Sequence, residues 1–244
     1  MKAIILAAGL GTRLKPLTDT MPKALVKVLG KPMLQKWLES MYVCGVREVA
    51  VNVHHFGDQV IDFIDNLQMP DMTIHISDER DMLLDTGGGI RKAAKLFKDN
   101  DEPVLVCNVD ILTNADLKWQ YGYHLRAGND ATLLVSRRES SRYLVFETDK
   151  YMLRGWTNKK TGQTKPEGFS YDLENYVEAA FSGIHVIGPD MLRYMDEHYP
   201  EKFSIIDFYV DVCRRFNIQA TRQEGSSILD IGKLEVLNRI NGEK

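Results

Sequence analysis

A glycine-containing loop with two basic residues follows the first apolar segment of the chain. Residues 6–14 read Leu-Ala-Ala-Gly-Leu-Gly-Thr-Arg-Leu, and Lys23 comes shortly afterwards. Gly9 and Gly11 allow a close approach of the backbone to an anion, and loop amides can point at phosphate oxygens. Arg13 and Lys23 add positive charge beside that loop. The combination predicts a site for a highly charged phosphate ligand, although a Gly-x-Gly spacing alone also occurs in ordinary tight turns.

The same loop argues against two common nucleotide-binding motifs. It lacks the Gly-Lys-Ser/Thr of a Walker A loop, and no third glycine stands at the spacing of the dinucleotide-binding fingerprint. ATPase and dehydrogenase activities are therefore disfavoured.

Two aspartates are candidate metal ligands. Asp110 follows the apolar segment 104–107, and Asp230 stands near the close of the chain, before Gly232. In open α/β sheets, ligands collect beyond the carboxyl ends of the strands. Magnesium is commonly held by one or two carboxylates together with substrate phosphates. A turn or a helix cap is the ordinary alternative for each aspartate.

The segments that carry these residues predict an α/β fold. Residues 3–8 are continuously apolar, as in a strand covered on both faces. Helix-like periodicity and strand-like runs then alternate, with helices expected over 33–44, 57–67 and 89–97 and strands over 49–53, 73–77 and 104–107. This order predicts a doubly wound, mostly parallel, Rossmann-like sheet flanked by helices.

The second half of the chain is less regular at first. Strand 131–136 precedes a polar stretch, 137–175, which predicts hairpins and a mobile segment on the substrate side. Regular patterns return with a strand at 177–187, helices at 189–197 and 207–216, a short strand at 228–231, and a helix from Lys233.

Composition excludes several classes of protein. Hydrophobic residues make up 44% and charged residues 27%, which is typical of globular chains. The net charge of -3 provides no basic field for a nucleic acid. The first apolar run is too short to span a membrane. Cys44, Cys107 and Cys213 form no Cys-x-x-Cys pair, which favours a reducing, cytoplasmic location.

The loop at residues 9–13, together with Pro16-Leu17-Thr18 and Pro22-Lys23, resembles the signature of the sugar-1-phosphate nucleotidyltransferase (NDP-sugar pyrophosphorylase) family. The resemblance implies the GT-A-like fold of that family and a Mg²⁺-dependent reaction. In that reaction, a nucleoside triphosphate (NTP) and a sugar 1-phosphate give a nucleotide sugar and pyrophosphate. It also implies that Arg13 neutralises the leaving pyrophosphate and that Lys23 reaches the α-phosphate.

Three further segments extend the resemblance. Glu79 with residues 85–89 resembles the segment that holds base and ribose, and a helix N-cap at Asp85 or Thr86 is the structural alternative. Residues 181–184 resemble the strand whose glycine lies against the sugar, where a strand bulge is the alternative. Asp110 and Asp230 resemble the family's metal carboxylates, although Val109 replaces the usual glycine.

The implied site has four parts. Arg13, Lys23 and Asp110 are the catalytic residues, and Asp110 and Asp230 bind the metal. The nucleotide-binding residues are Leu6, Ala8, Gly9, Gly11, Thr12, Arg13, Lys23, Glu79, Thr86, Gly87 and Gly88. The sugar-binding residues are Asn108, Ser182 and Gly183.

The sugar side departs from the family pattern. The Glu-Lys-Pro motif is absent. Its cation could be replaced by Arg142, Lys159, Lys160 or Lys165, but solvated surface charge is the better account of each.

The resemblance implies one domain over residues 1–244, with a nucleotide-binding half at 1–136 and a sugar-binding half at 137–244. The chain length, the string at 86–89 and the close of the chain favour members that use UTP and N-acetylmuramate 1-phosphate. GTP with mannose or heptose 1-phosphate is the main alternative, and CTP with choline phosphate is a third. A non-catalytic nucleotide-sugar-binding regulator is the alternative outside enzymes. We expect a monomer or a homodimer.

Overall fold

A ten-stranded mixed sheet with helices on both faces forms the centre of the molecule. The computed structural model describes residues 1–98 and 101–242. Its strands are β1 (Lys2–Leu6), β2 (Lys27–Val28), β3 (Lys31–Pro32), β4 (Glu48–Val53), β5 (Thr73–Asp78), β6 (Val104–Asn108), β7 (Ile111–Thr113), β8 (Ala131–Ser136), β9 (Arg142–Glu147), β10 (Leu153–Asn158), β11 (Thr164–Lys165), β12 (Tyr176–Ile187), β13 (Ile218–Thr221) and β14 (Ile228–Asp230). Its helices are α1 (Met33–Val43), α2 (Gly57–Asp65), α3 (Asp85–Ala94), α4 (Leu117–Ala127), α5 (Pro189–His198), α6 (Ile205–Val212) and α7 (Leu234–Asn241).

The sheet is parallel where the nucleotide-binding half was predicted. Strands β5, β4, β1 and β6 lie side by side and pair in parallel. The long strand β12 then runs antiparallel to β6, β8 and β9, and β8 pairs in parallel with β13. The carboxyl ends of β1, β4, β5 and β6 therefore meet at one edge, where ligands of such sheets bind.

Burial on both faces explains the continuous apolar pattern of the first strand. Ala3 and Ile5 pack into one hydrophobic cluster with α1, whereas Ile4 packs into a second with α3, α5 and α6. All three side chains are fully buried. The doubly wound α/β fold is thus confirmed.

Strands β2, β3 and β7 of the first half were not predicted, and two of its helices also differ from the predictions. Helix α4 was not predicted, because aromatic and polar residues obscure its apolar face; its N-cap is Asp116, whose carboxylate accepts a hydrogen bond from the Trp119 backbone N–H at 2.8 Å. Helix α3 begins at Asp85 rather than near Gly89, and within the described chain no side-chain hydrogen bond caps its start. The glycine string 87–89 therefore lies inside the helix.

The second half agrees with most of its predicted elements. The polar stretch contains the antiparallel hairpins β9–β10 and β10–β11, and β12, α5, α6, β14 and α7 follow as predicted. Strand β13 was not predicted. Among the described residues, no helix combines the length and the apolar character that crossing a membrane would require.

Candidate active site

A cavity of about 410 Å³ opens at the carboxyl edge of the parallel strands. It is lined by residues from the loop after β1, from β4, from the segment between β5 and α3, from the end of β6, and from the loop before α6. The lining residues are Leu6, Ala8, Gly9, Lys23, Asn52, Glu79, Leu83, Asp85, Thr86, Asn108, Asp110 and Lys202. Most of the residues that the sequence predicted for nucleotide binding thus converge on one space.

A buried amide fixes the backbone of the loop after β1. Asn52 Oδ1 accepts hydrogen bonds from the backbone N–H groups of Ala7, at 2.5 Å, and Ala8, at 3.1 Å. The Asn52 Nδ2 group donates to Glu79 Oε1 at 2.7 Å. One side chain thereby connects the loop after β1 to the cavity wall that precedes α3.

Glu79 is almost completely buried and completes the link between the loop after β1 and the cavity wall that precedes α3. Its second carboxylate oxygen accepts the Leu84 backbone N–H at 3.1 Å, so both oxygens have protein partners. Burial raises the pKa of the Glu79 carboxyl above its usual value, against the lowering effect of these hydrogen bonds. This geometry indicates that Glu79 positions the walls of the cavity, and direct contact with a nucleotide stays a prediction.

Two predicted cations and two predicted carboxylates meet beside the cavity. Lys23 Nζ lies 2.6 Å from Asp110 Oδ2. The Arg13 guanidinium lies 4.0 Å from Asp110 and 3.5 Å from Asp230. The Lys23 and Asp110 side chains are largely buried, whereas Arg13 is half exposed. Arg13 can therefore reach towards an incoming anion while Lys23 stays beside the carboxylate.

A small two-stranded ribbon brings the two aspartates together. Strands β7 and β14 pair antiparallel, with Asp230 opposite Ile111, and the Ile231 backbone N–H donates to the Asp110 carbonyl at 3.0 Å. Val109, which stands in place of the family's usual glycine, turns its side chain into the core and is 1% exposed. The substitution therefore leaves the face that carries the carboxylates unobstructed.

Asp110 and Asp230 face one small space, and magnesium binding there stays a prediction. A Cβ atom on Gly232 would lie 2.9 Å from Asp110 Oδ2, from Asp230 Oδ1 and from the Arg13 guanidinium, so these groups face one small space. Among the described residues, no cluster of three or more His, Cys, Asp or Glu side chains could hold a metal. Two carboxylates completed by substrate phosphates match the usual ligands of Mg²⁺.

The remaining residues of the predicted phosphate loop support its shape. Gly11 has a φ of +65°, and its carbonyl accepts the Thr18 hydroxyl at 2.8 Å. Thr12 begins a short 3₁₀ helix that also contains Arg13. Gly11, Thr12 and Arg13 do not line the cavity itself, and their contact with a triphosphate stays a prediction.

The glycine string of α3 has a structural role that the sequence did not reveal. The backbone N–H of Gly87 donates to the Phe203 carbonyl at 2.9 Å, and a Cβ on Gly88 would lie 2.2 Å from the Glu201 carbonyl. Gly87 and Gly88 therefore contact the loop before α6 instead of lining the cavity. Thr86 lines the cavity and accepts the Ile205 backbone N–H through Oγ1 at 3.0 Å.

The predicted sugar side is only partly assembled around the cavity. Asn108 lines it, and a Cβ on Gly183 would lie 2.6 Å from Asn108 Nδ2, so these two residues are in contact. Ser182 is buried, its hydroxyl has no hydrogen-bond partner among the described residues, and it does not line the cavity.

The replacement cations proposed for the sugar side lie elsewhere. Lys159 pairs with Glu178, and Lys165 pairs with Asp207, both at 2.5 Å. Arg142 and Lys160 are likewise not among the cavity-lining residues.

Sequence reasoning missed three residues of the cavity, namely Asn52, Leu83 and Lys202. Asn52 carried a usable signal, since it is a polar residue inside an otherwise apolar strand. Lys202 carried none, because it lies far along the chain from every motif.

A cavity at the carboxyl edge of a doubly wound sheet, with a glycine loop, two cations and two carboxylates, defines an α/β protein built to bind a nucleotide. Comparison with known families gives the finer assignment. The chain belongs to the nucleotidyl transferase family, whose sequence model matches residues 2–243.

Curated relatives include enzymes named for different sugars. The mannose-1-phosphate guanylyltransferase catalytic subunit beta of Danio rerio is 32% identical over 197 residues, which cover 79% of this chain and 51% of that protein. The N-acetylmuramate alpha-1-phosphate uridylyltransferase of Caulobacter vibrioides is 44% identical over 110 residues, which cover 44% of this chain and 45% of that protein. The chain spans about half the length of these curated relatives.

Solved structures share the fold over almost the whole chain. HddC from Yersinia pseudotuberculosis, complexed with GMP-PN, has a TM-score of 0.74 and 21% identity, covering 99% of this chain and 98% of that one. A putative glucose-1-phosphate thymidylyltransferase from Bacillus anthracis has a TM-score of 0.80 and 19% identity, covering 99% of this chain and 94% of that one. At these identities, the likeness concerns the fold alone.

Proposed function

We propose that this protein transfers a nucleoside monophosphate from a nucleoside triphosphate to a sugar 1-phosphate, with release of pyrophosphate. The observation that carries the proposal is the convergence of Lys23, Arg13, Asp110 and Asp230 in one cluster, of which Lys23 and Asp110 line the cavity. Membership of the nucleotidyl transferase family supports it.

The reaction joins two anions, so electrostatics dominate the mechanism. A phosphate monoester has a second pKa of roughly 6, so the sugar phosphate is already largely dianionic at neutral pH and needs no general base. One of its oxygens forms a bond to the α-phosphorus. The bond from that phosphorus to the bridging oxygen breaks, and its electron pair leaves with pyrophosphate.

Each cation has a separate task in this scheme. Lys23 is held close to the cavity and would neutralise the α-phosphate as negative charge redistributes there. Arg13, whose side chain is half exposed, would bind the leaving pyrophosphate.

Asp110 and Asp230 would hold the magnesium ion. When bound, that ion supplies positive charge that offsets repulsion between the two substrates. The chain's own contribution is to keep both carboxylates directed at one space through the β7–β14 ribbon.

For the specific substrates, we propose UTP and N-acetylmuramate 1-phosphate. The 44% identity to the Caulobacter uridylyltransferase supports this choice. GTP with mannose or heptose 1-phosphate is the second candidate, because the guanylyltransferase of Danio rerio is similar over a longer part of the chain.

A substrate matrix tests both levels of the proposal. The full chain with Mg²⁺ is incubated with each of four nucleoside triphosphates and a panel of sugar 1-phosphates that includes N-acetylmuramate, mannose and heptose, and pyrophosphate release is measured. We expect the highest rate for UTP with N-acetylmuramate 1-phosphate. A higher rate for GTP with mannose or heptose 1-phosphate would replace the substrates but keep the reaction. Tight nucleotide binding without turnover on any pair would instead identify a regulator.

A further inference from the structure

Lys202 is a cation of the cavity that has no counter-ion among the residues that the structure describes. Lys23 and Lys202 are the two cations among the cavity-lining residues, and Lys23 is paired with Asp110. Lys202 is exposed and makes no ion pair or hydrogen bond with any described residue. An ammonium group on the cavity wall without a counter-ion among the described residues is available to a negatively charged ligand.

The loop that carries Lys202 is held by hydrogen bonds from the start of α3. Gly87 N–H donates to the Phe203 carbonyl at 2.9 Å, and Phe203 N–H donates to the Leu84 carbonyl at 3.2 Å. Ile205 N–H donates to the Thr86 hydroxyl at 3.0 Å. The backbone on the carboxyl side of Lys202 is therefore fixed relative to the wall of the cavity.

The glycines of α3 are required for this docking. A Cβ on Gly87 would lie 2.3 Å from the Phe203 ring, and a Cβ on Gly88 would lie 2.2 Å from the Glu201 carbonyl. Gly88 faces backbone, which cannot turn aside as a flexible side chain would. Any side chain at Gly88 would displace the loop and Lys202 with it.

The loop that carries Lys202 belongs to the second half of the chain, whereas the predicted phosphate loop belongs to the first half. It leads into α6, which packs against α3 and against β10 of the predicted sugar-binding half. Arg13 and Lys23, in contrast, belong to the loops after β1 in the nucleotide-binding half. Lys202 thus brings positive charge from the second half of the chain to the cavity that Lys23 and Asp110 also line.

We propose that Lys202 binds the phosphate group of the sugar 1-phosphate, and that the first turn of α3 positions this lysine. We call Thr86, Gly87 and Gly88 of that turn the glycine seat. This inference rests on the proposed transferase function and adds a residue outside every motif of the chain. The second anionic substrate needs its own cation, because the proposed mechanism assigns both Lys23 and Arg13 to the phosphates of the nucleoside triphosphate. Thr86 and Gly88 are positioning residues that act through Lys202.

The first test separates binding of the two substrates. Lys202→Met is compared with Lys118→Met, a matched change at a lysine on the unrelated helix α4. With the best substrate pair, we expect Lys202→Met to raise the KM for the sugar 1-phosphate about tenfold or more, because a charge-assisted hydrogen bond is lost. The Kd for the triphosphate, measured by calorimetry, should change less than about twofold, and Lys202→Arg should restore most of the affinity.

The second test asks whether the glycine seat acts through Lys202. Gly88→Ala should raise the same KM, and it should add little when combined with Lys202→Met, because the displaced lysine is already absent. If Gly88→Ala fails to fold, Thr86→Val removes the acceptor of the Ile205 N–H and replaces it in the same double-mutant cycle. Thermal melting of each variant checks that the fold is retained.

The outcomes distinguish this inference from the proposed function. If the wild-type protein releases no pyrophosphate from any pair, the proposed function fails. If the wild-type protein is active but Lys202→Met leaves the KM for the sugar 1-phosphate unchanged, or raises only the Kd for the triphosphate, the assignment of Lys202 is overturned. Additive effects in the double mutant would overturn the role of the glycine seat.

Discussion

At the scale of single residues, Asp110 is the carboxylate that both cations of the candidate site approach. Its carboxylate lies 2.6 Å from the Lys23 ammonium and 4.0 Å from the Arg13 guanidinium, and it shares one small space with Asp230. Asp110 is 8% exposed, so water screens these interactions only weakly. Replacing its charge should therefore weaken the electrostatic interactions of the whole site.

We predict that Asp110→Asn lowers kcat about 10²-fold or more while the protein remains folded, because a loss of roughly 3 kcal/mol of transition-state stabilisation corresponds to that factor. Pyrophosphate release measures the rate, and circular dichroism checks the fold. Near-normal turnover with bound Mg²⁺ would exclude Asp110 as a metal ligand.

A second residue-scale prediction concerns Lys23. We expect Lys23→Ala to reduce kcat by at least about tenfold, because the cation nearest to Asp110 on the cavity wall would be removed. Lys15→Ala is the matched control, since Lys15 is exposed and pairs with Asp19 away from the cavity. Equal rates for the two variants would remove Lys23 from the reacting centre.

At the scale of elements, the β7–β14 ribbon and the turn after it decide whether the two carboxylates meet. Gly232 lies in that turn, and its N–H donates to Asp230 Oδ1 at 2.9 Å. A methyl group at this position would lie 2.9 Å from both carboxylates and from Arg13. The turn thus leaves a space between these groups, and any residue larger than glycine would fill that space.

We therefore predict that Gly232→Ala lowers kcat about tenfold or more and raises the Mg²⁺ concentration needed for half-maximal rate, because the added methyl group occupies space between the carboxylates. A magnesium titration of pyrophosphate release measures both effects. Gly122→Ala in α4 is the control, since its nearest neighbour is the flexible end of Arg126. An unchanged magnesium dependence would contradict this account of the space.

Elements also show what the sequence could and could not predict. Strand β1 and the loop after it were predictable, because continuous apolar residues and glycines act through local backbone preferences. The contact between Gly88 and Glu201 was not, because it joins positions far apart in the chain and depends on the direction in which a missing Cβ would point. The sequence therefore identified the glycine string, whose contact with a base or ribose stays a prediction.

At the scale of the whole molecule, contacts between distant parts of the chain also limited what the sequence could predict about the sugar side. Charge composition selected Lys159 and Lys165 as candidate cations, yet both form ion pairs away from the cavity. Lys202 has the required position because α6 packs on α3 across the two halves of the chain. Residue type alone does not report such packing, so the nucleotide side was predicted more fully than the sugar side.

The molecule also buries two histidines in a neutral state. Desolvation lowers the pKa of His124 to about 4 and that of His185 to about 3. His124 Nδ1 lies 3.0 Å from the Thr132 hydroxyl, and His185 Nδ1 lies 2.5 Å from the Tyr209 hydroxyl. His124 thus links α4 to β8, and His185 links β12 to α6, so their protonation would affect the packing of these elements.

These histidines predict a loss of global stability in acid. An unfolded histidine takes up a proton near pH 6.5, whereas folded His124 does so only near pH 4, so the unfolded state binds more protons between these values. The free energy of unfolding should therefore fall as the pH decreases from 6.5 to about 4, by up to about 1.4 kcal/mol per pH unit for this group. In urea titrations across that range, His124→Gln should flatten the dependence, whereas His55→Gln, at an exposed histidine, should leave it unchanged. Identical slopes for wild type and His124→Gln would show that a different group controls acid unfolding.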